Sequence, residues 1–262
     1  MRYLFGFLSV FALGLVSLVG CTDSGDSNDN WAPLDYEANP ASAKYDFSAA
    51  DSAVADFMAD YPAVEGVTLA VVRARDGQIY EKGYGDFGRD RISLLASTSK
   101  VLSVGVILSL VDDGVLELDR PIAEYLDWGD HHPTVTMRQI LSMMSGLAPG
   151  SWFGGLCLPF ECACDPATSV QACGRIEFED ESMWIEPNLE FRYTDWQLAG
   201  AVAEVVSSAG WAELVTQNLV APCGLPNTGY TNGIEPEAFE GDPANAPATE
   251  NPSVDGGAYT TV

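Results

Sequence analysis

An α+β chain is what this sequence predicts, and two observations predict it. Near the start of the folded part lies a β-hairpin pattern, an apolar β-rich run and a returning second strand joined at Asp76-Gly77. After it comes a succession of apolar-periodic segments with helix start and stop signals. The 262 residues are 47% hydrophobic, enough for one large domain or two lobes. Thirty-eight acidic against twelve basic residues give a net charge of −26. A field of that sign repels phosphate backbones and anionic lipid, which excludes nucleic acid as a partner and reads as a well-solvated surface.

The chain opens with Arg2 and an apolar run over 4–19, the layout of a secretory signal and too short for a comfortable spanning helix. Leu18-Val19-Gly20-Cys21 closes it. This looks like a bacterial lipobox, which implies cleavage before Cys21 and lipidation of that cysteine; the rival reading is an ordinary signal peptide with a cysteine nearby. Thr22 rather than Asp follows, which by resemblance to lipoproteins of two-membraned bacteria implies the outer membrane, on the periplasmic side. The expected organisation is therefore signal and lipobox over 1–21, a disordered tether over 22–45 with too little apolar content to pack, and a folded domain over 46–262. The mature protein would be anchored through its lipid, not spanning.

Within the folded part, Ser48-Ala49-Ala50-Asp51 has capping-box spacing, and Val54, Phe57 and Met58 give the following helix an apolar face that ends at Pro62. Strands are expected over 66–74 and 78–83; two strands do not stand alone, so partners must come from elsewhere. Residues 101–111 are apolar nearly all round, the mark of a buried central helix, stopped by Asp112-Asp113-Gly114. A short helix is expected over 121–126. Thr136-x-x-Gln139 caps another over 137–144, ended by Gly146. Residues 157–173 read as loop, 196–206 and 211–220 as helices, and 222–226 and 227–230 as turns.

Chemistry enters at Ser97-Thr98-Ser99-Lys100, directly before the central helix. A serine and a lysine three apart on a helix share a face. A serine at a helix mouth has its oxyanion stabilised by the dipole, and a lysine one turn on is placed to take its proton. The chain has only three lysines, Lys44, Lys82 and Lys100, but Ser-x-x-Lys needs support from its surroundings.

That support is an ordered set of further pieces: Gln139 to Leu147 (QILSMMSGL), Tyr193-Thr194-Asp195, Leu198-Ala199-Gly200 with Glu204, and Pro222 to Tyr230 (PCGLPNTGY). Together they resemble the serine β-lactamase and penicillin-binding protein family, in its class C-like branch of esterases, D-amino-peptide hydrolases and β-lactamases, over residues 47–262. The resemblance implies a β-lactamase/transpeptidase-like fold, a helical lobe plus an antiparallel sheet flanked by helices. It implies Ser97 as the acylated nucleophile, Lys100 as its proton acceptor, and Tyr193 as the relay to the leaving group and the activator of water. The Ser97 backbone N–H would be one oxyanion donor.

Two departures stand out. The family usually has Asn where this chain has Asp195, a substrate-binding position. An aspartate only accepts hydrogen bonds, and its charge favours the ammonium form of Lys100, so slower acylation or an altered substrate preference is expected. The family's third motif, Lys/His-Thr-Gly or a variant, has no counterpart after Tyr193, and His131 and His132 come too early to serve. Gly256-Gly257-Ala258-Tyr259-Thr260-Thr261 looks like a turn that precedes the family's final strands. The expectation is a C-terminally truncated chain lacking the last strands and half the oxyanion hole, and so impaired.

Of six cysteines, Cys21 is expected to be lipidated. Cys157, Cys162, Cys164 and Cys173 are expected to form two local disulfides of unreadable pairing; a zinc site is the rival, without the C-x-x-C spacing that would favour it. Cys223 is read as a buried free thiol. No metal and no cofactor is expected. The function so read is that of a monomeric serine hydrolase acting through an acyl-enzyme on a small-molecule or peptidoglycan-derived ester, D-alanyl peptide or β-lactam. The alternative is a non-catalytic envelope lipoprotein using the same fold for binding.

Overall fold

The computed structural model describes residues 39–262, apart from 89, 129–130, 148–161, 163–164, 166, 181–183, 192–195, 233–248 and 262. The signal segment, the lipobox cysteine and most of the expected tether lie outside the described residues. The last residues of that tether segment are held in place: Asn39 Nδ2 donates to the carbonyls of Asp76 (2.6 Å) and Gln78 (2.8 Å), and Ala41 is buried.

Helix α1 runs Ser48–Asp60, but without the expected capping box. Asp46 Oδ1 accepts from the Ser48 N–H (2.9 Å) instead, because Asp51 is engaged elsewhere. Its carboxylate takes hydrogen bonds from the hydroxyls of Tyr80 and Tyr84 and an ion pair from Lys82 (3.1 Å). Those three bonds, that of Tyr80 foremost, lower the Asp51 carboxyl to about 2. They tie α1 to the hairpin of β1 (Gly66–Arg73) and β2 (Gly77–Gly85), which pair antiparallel from Gly66 opposite Gly85 to Arg73 opposite Gly77, with a bulge at Val71/Val72. Gly77 supplies the positive φ (72°) that the turn requires.

A second antiparallel sheet was not legible as such. It has three very short strands, β3 (Ser93–Leu94), β4 (Gly229–Tyr230) and β5 (Ala258–Thr260), in the order β3-β5-β4. The expected turn over 227–230 thus ends in a strand, and the Gly256-Gly257 turn leads straight into another.

Helix α2 (Ser99–Asp112) is the expected central helix, with Val106, Ile107 and Leu110 buried and a stop at Gly114 (φ 72°). Its apolar face joins one core with Leu116, Ile122, Val135, Met137, Ile140, Leu198, Val202, Trp211 and Leu214. Each such side chain contributes roughly 1.5–3 kcal/mol by leaving water. Residues Ile122–Glu124 form one 3-10 turn. Helix α3 (Met137–Leu141) carries the predicted capping box: Thr136 Oγ1 accepts from the Gln139 N–H (3.3 Å) and Gln139 Oε1 from the Thr136 N–H (3.0 Å).

Helix α4 (Val170–Glu179) takes over the last four residues of the stretch 157–173 read as loop. Ser169 caps it, its Oγ accepting from the Ala172 N–H (3.1 Å), and Val170, Cys173, Gly174 and Phe178 face inward. It packs closely on α5 (Gln197–Ser207), since a Cβ at Gly174 would lie 2.7 Å from the Ala201 Cβ. Helix α6 (Trp211–Val215) widens into a π-helical turn over Thr216–Val220 and ends in a helical turn α7 (Ala221–Cys223). Pro222 lacks the N–H that would bond back to Asn218, and the register loosens before it.

Cys162 and Cys173 form a disulfide, one of the expected local pairs, so neither sulfur is a thiolate for a metal. Cys157 and Cys164 lie outside the described residues. Cys223 is disulfide-bonded, which overturns its reading as a free thiol; its partner lies outside the described residues. Among the described residues no single helix is long and apolar enough to cross a membrane.

At the α5–α6 corner, Glu204 Oε1 accepts from the Trp211 N–H (2.8 Å) and caps α6. Burial raises this carboxyl above its ordinary value of 4.5, against the pull of the Trp211 and Gln171 hydrogen bonds. A carboxyl raised on folding adds stability only below its unfolded value and loses it as pH rises through the folded one. Glu204→Gln, which keeps the acceptor and drops the charge, is expected to melt higher than the parent at pH 7. The gap should close below about pH 4, where the glutamate is protonated in both states; thermal melts across that range check it.

Candidate active site

Ser97 lies in a 3-10 turn, Ala96–Thr98, that leads into α2, two residues before the helix proper. Its side chain is exposed. Ala96 directly before it has φ 46°, a left-handed conformation that costs a non-glycine residue about 1 kcal/mol or more. Among the described residues no hydrogen bond from the Ser97 Oγ competes with an incoming carbonyl.

The mouth of α2 is fastened from below. Ser99, fully buried, accepts the Ala258 N–H at its Oγ (2.9 Å), which joins the helix start to β5. One turn on, Ser103 Oγ lies 2.7 Å from the Tyr230 hydroxyl and donates to the Val254 carbonyl. The Tyr230 hydroxyl also lies 3.2 Å from the Ser99 carbonyl. Burial pushes the Tyr230 phenol far above its ordinary range, although its Ser103 bond pulls the other way, so it stays a donor at any working pH.

Lys100 is brought to the same place, but its amine does not rest on the serine. Nζ lies 3.1 Å from Asp255 Oδ2 and 3.1 Å from the Asp255 carbonyl, and 5.6 Å from the centre of the Trp196 ring. Among the described residues no hydrogen bond joins it to Ser97 Oγ. The Lys100 and Asp255 side chains are 13% and 17% exposed, so the pair is shielded on most sides.

Asp255 in turn is placed by a polar network. Ser253 Oγ donates to its other carboxylate oxygen (2.9 Å). Gln197, at the start of α5, accepts the Val254 N–H (2.7 Å) and donates to Asn251 Oδ1 (2.6 Å) and the Pro252 carbonyl (3.0 Å). Asn251 Nδ2 reaches the carbonyls of Cys162 (2.7 Å) and Asp165 (3.0 Å), beside the disulfide. These polar groups are buried and satisfied, which fixes the turn over 251–257 firmly.

Tyr193 and Asp195 lie outside the described residues. The chain on either side of them is described. Upstream, the Ile185 N–H donates to the Gly146 carbonyl (3.1 Å) and the Asn188 N–H to that of Met144 (2.8 Å), so the SGL segment holds the approach. Downstream, Trp196 is buried with its ring beside Lys100. Sequence reasoning missed Asp255, Trp196, Ser103 and Tyr230. The only local signal for Asp255 is its place directly before Gly256-Gly257.

A helical lobe, small antiparallel sheets and Ser-x-x-Lys at a helix mouth define a protein of the β-lactamase/transpeptidase-like fold. The family model described as Beta-lactamase matches residues 50–260, and the chain belongs to that family. It is 37% identical over 125 residues to the beta-lactamase-like protein str5 of Strobilurus tenacellus, covering 38% of this chain and 44% of that one. It is 28% identical over 181 residues to penicillin-binding protein 4 of Amycolatopsis lactamdurans, covering 62% of this chain and 44% of that one. Among solved structures, a beta-lactamase/D-alanine carboxypeptidase from Yersinia pestis superposes with TM-score 0.60 at 17% identity, covering 82% of this chain and 66% of the other. The chain thus spans less than half the length of the two curated relatives.

Proposed function

We propose that this protein is a serine hydrolase that forms an acyl-enzyme on Ser97, taking a β-lactam, a D-amino-acid peptide or an ester. The observation that carries the reading is the exposed Ser97 at the mouth of α2, with the largely shielded Lys100 three residues on. In this reading Ser97 Oγ attacks the substrate carbonyl, Lys100 accepts its proton, and the Ser97 N–H steadies the oxyanion. Tyr193 passes a proton to the leaving group and then activates water, and Asp195 contacts the substrate. Trp196, three residues after Tyr193 and beside Lys100, supports a place for both at this site. Membership of the β-lactamase family supports the acyl-transfer chemistry. A lipid on Cys21 would hold the domain at the periplasmic side of the envelope, as a monomer within reach of peptidoglycan-derived substrates.

The test is direct. After exposure to a fluorophosphonate and, separately, to a fluorescent penicillin, mass mapping of the digested protein is expected to place an adduct on Ser97 and none on Ser99, which is buried. No adduct with either reagent would overturn the reading in favour of a non-catalytic lipoprotein.

A further inference from the structure

We propose that Asp255 is a positioning residue that draws the Lys100 amine away from Ser97 and so restrains acylation; the inference rests on the serine-hydrolase reading above. Three observations meet here. Nζ lies 3.1 Å from the carboxylate and 3.1 Å from the carbonyl of one residue, Asp255. The carboxylate is itself fixed, one oxygen by Ser253 Oγ and the turn beneath it by Gln197 and Asn251. Ser97, three residues before Lys100, receives no hydrogen bond from the amine among the described residues.

An ammonium–carboxylate bond in a shielded place is roughly twice as strong as a neutral one. A serine hydroxyl competes poorly for a donor held in that way. The carbonyl of residue 255 would hold the amine in the pocket whatever the side chain, so the carboxylate is not needed to place Lys100 near the site. What the carboxylate adds is bias, toward the turn and away from the nucleophile. Engaging the serine as a base then requires the ammonium to leave its charged partner and release one proton to solvent, so that the neutral amine can take the serine proton, and that step slows attack on a carbonyl.

The experiment is saturation kinetics of fluorophosphonate labelling, read as a limiting rate and a half-saturation concentration, on the full chain and on Asp255→Asn, Asp255→Glu and Lys100→Arg with and without Asp255→Asn. Asp255→Asn keeps the size and the backbone carbonyl and removes the charge. Its limiting rate is expected to rise about tenfold with half-saturation unchanged, since a tenfold rate is a modest change for a shielded ion pair. Asp255→Glu is expected to return the rate toward the parent's. The gain should vanish in the Lys100→Arg background, because the effect passes through the lysine. An unchanged or slower rate in Asp255→Asn overturns the inference while leaving the acylation reading in place, and so does an equal gain with Lys100→Arg. Absence of label on parent and variants alike overturns both.

Discussion

Lys100→Arg is expected to lower the rate of Ser97 acylation by about a thousandfold while leaving the folded state intact. General bases contribute on the order of a hundred- to ten-thousandfold, and arginine does not give up its proton in a protein. Arginine nevertheless keeps the charge that Asp255 faces, so the ion pair survives. Lys100→Ala is a harsher change: it removes the ammonium 3.1 Å from the shielded Asp255 carboxylate, and a loss of stability should accompany the loss of rate. Comparing the two by labelling kinetics and thermal melting separates chemistry from folding. A Lys100→Arg protein that labels like the parent would remove the lysine from the proton path and leave it a purely structural cation. A Lys100→Arg protein that melts far below the parent would instead show that the pocket measures the shape of the side chain as strictly as its charge.

Where the sequence could be read, a local physical signal was strong. The hairpin declared itself by β-rich runs meeting at Asp76-Gly77, and α2 by an unbroken apolar stretch ending at Gly114. The capping box at Thr136 formed as its spacing required, whereas the same spacing at Ser48 did not, because Tyr80, Tyr84 and Lys82 compete for Asp51 from across the fold. A capping box is worth about 1 kcal/mol, and three converging donors exceed it. Helix α4 was hidden by its cysteine and glycine, poor helix formers whose burial at Cys173 and Gly174 is decided by α5. The strands β3, β4 and β5 are two or three residues long, too short for any alternation to register. At the site, Ser97 and Lys100 were legible because they are neighbours on one helix turn. Asp255 is 155 residues from Lys100, and only tertiary structure could bring it there.

The turn that makes that approach also makes the sharpest stability prediction. At Gly257 an added Cβ would sit 1.9 Å from the Thr231 carbonyl oxygen and 2.9 Å from that of Ser253. Neither atom is a yielding side-chain tip. Thr231 donates its N–H to the Gly257 carbonyl (2.8 Å) and accepts from the Ser253 N–H (3.0 Å), and the Gly257 N–H donates to the Ser253 carbonyl (2.8 Å). Three backbone hydrogen bonds therefore close on the space a methyl group would take. Relief requires opening at least one of them, with backbone displacement on top, so Gly257→Ala is expected to cost about 3–5 kcal/mol. The neighbouring glycine is the control. A Cβ on Gly256 meets nothing nearer than the Ser253 Oγ at 3.2 Å, a side-chain atom that has to give by only a few tenths of an ångström, and Gly256→Ala should cost less than about 1 kcal/mol. Chemical denaturation of the two variants checks the contrast, and equal losses would mean that the turn yields where its hydrogen bonds say it should not. Because β5 begins at the next residue and holds Ser99 through the Ala258 N–H, displacement at Gly257 is transmitted to the helix mouth. A Gly257→Ala protein that still folds should therefore label more slowly at Ser97 than Gly256→Ala does, although neither glycine carries a side chain into the site.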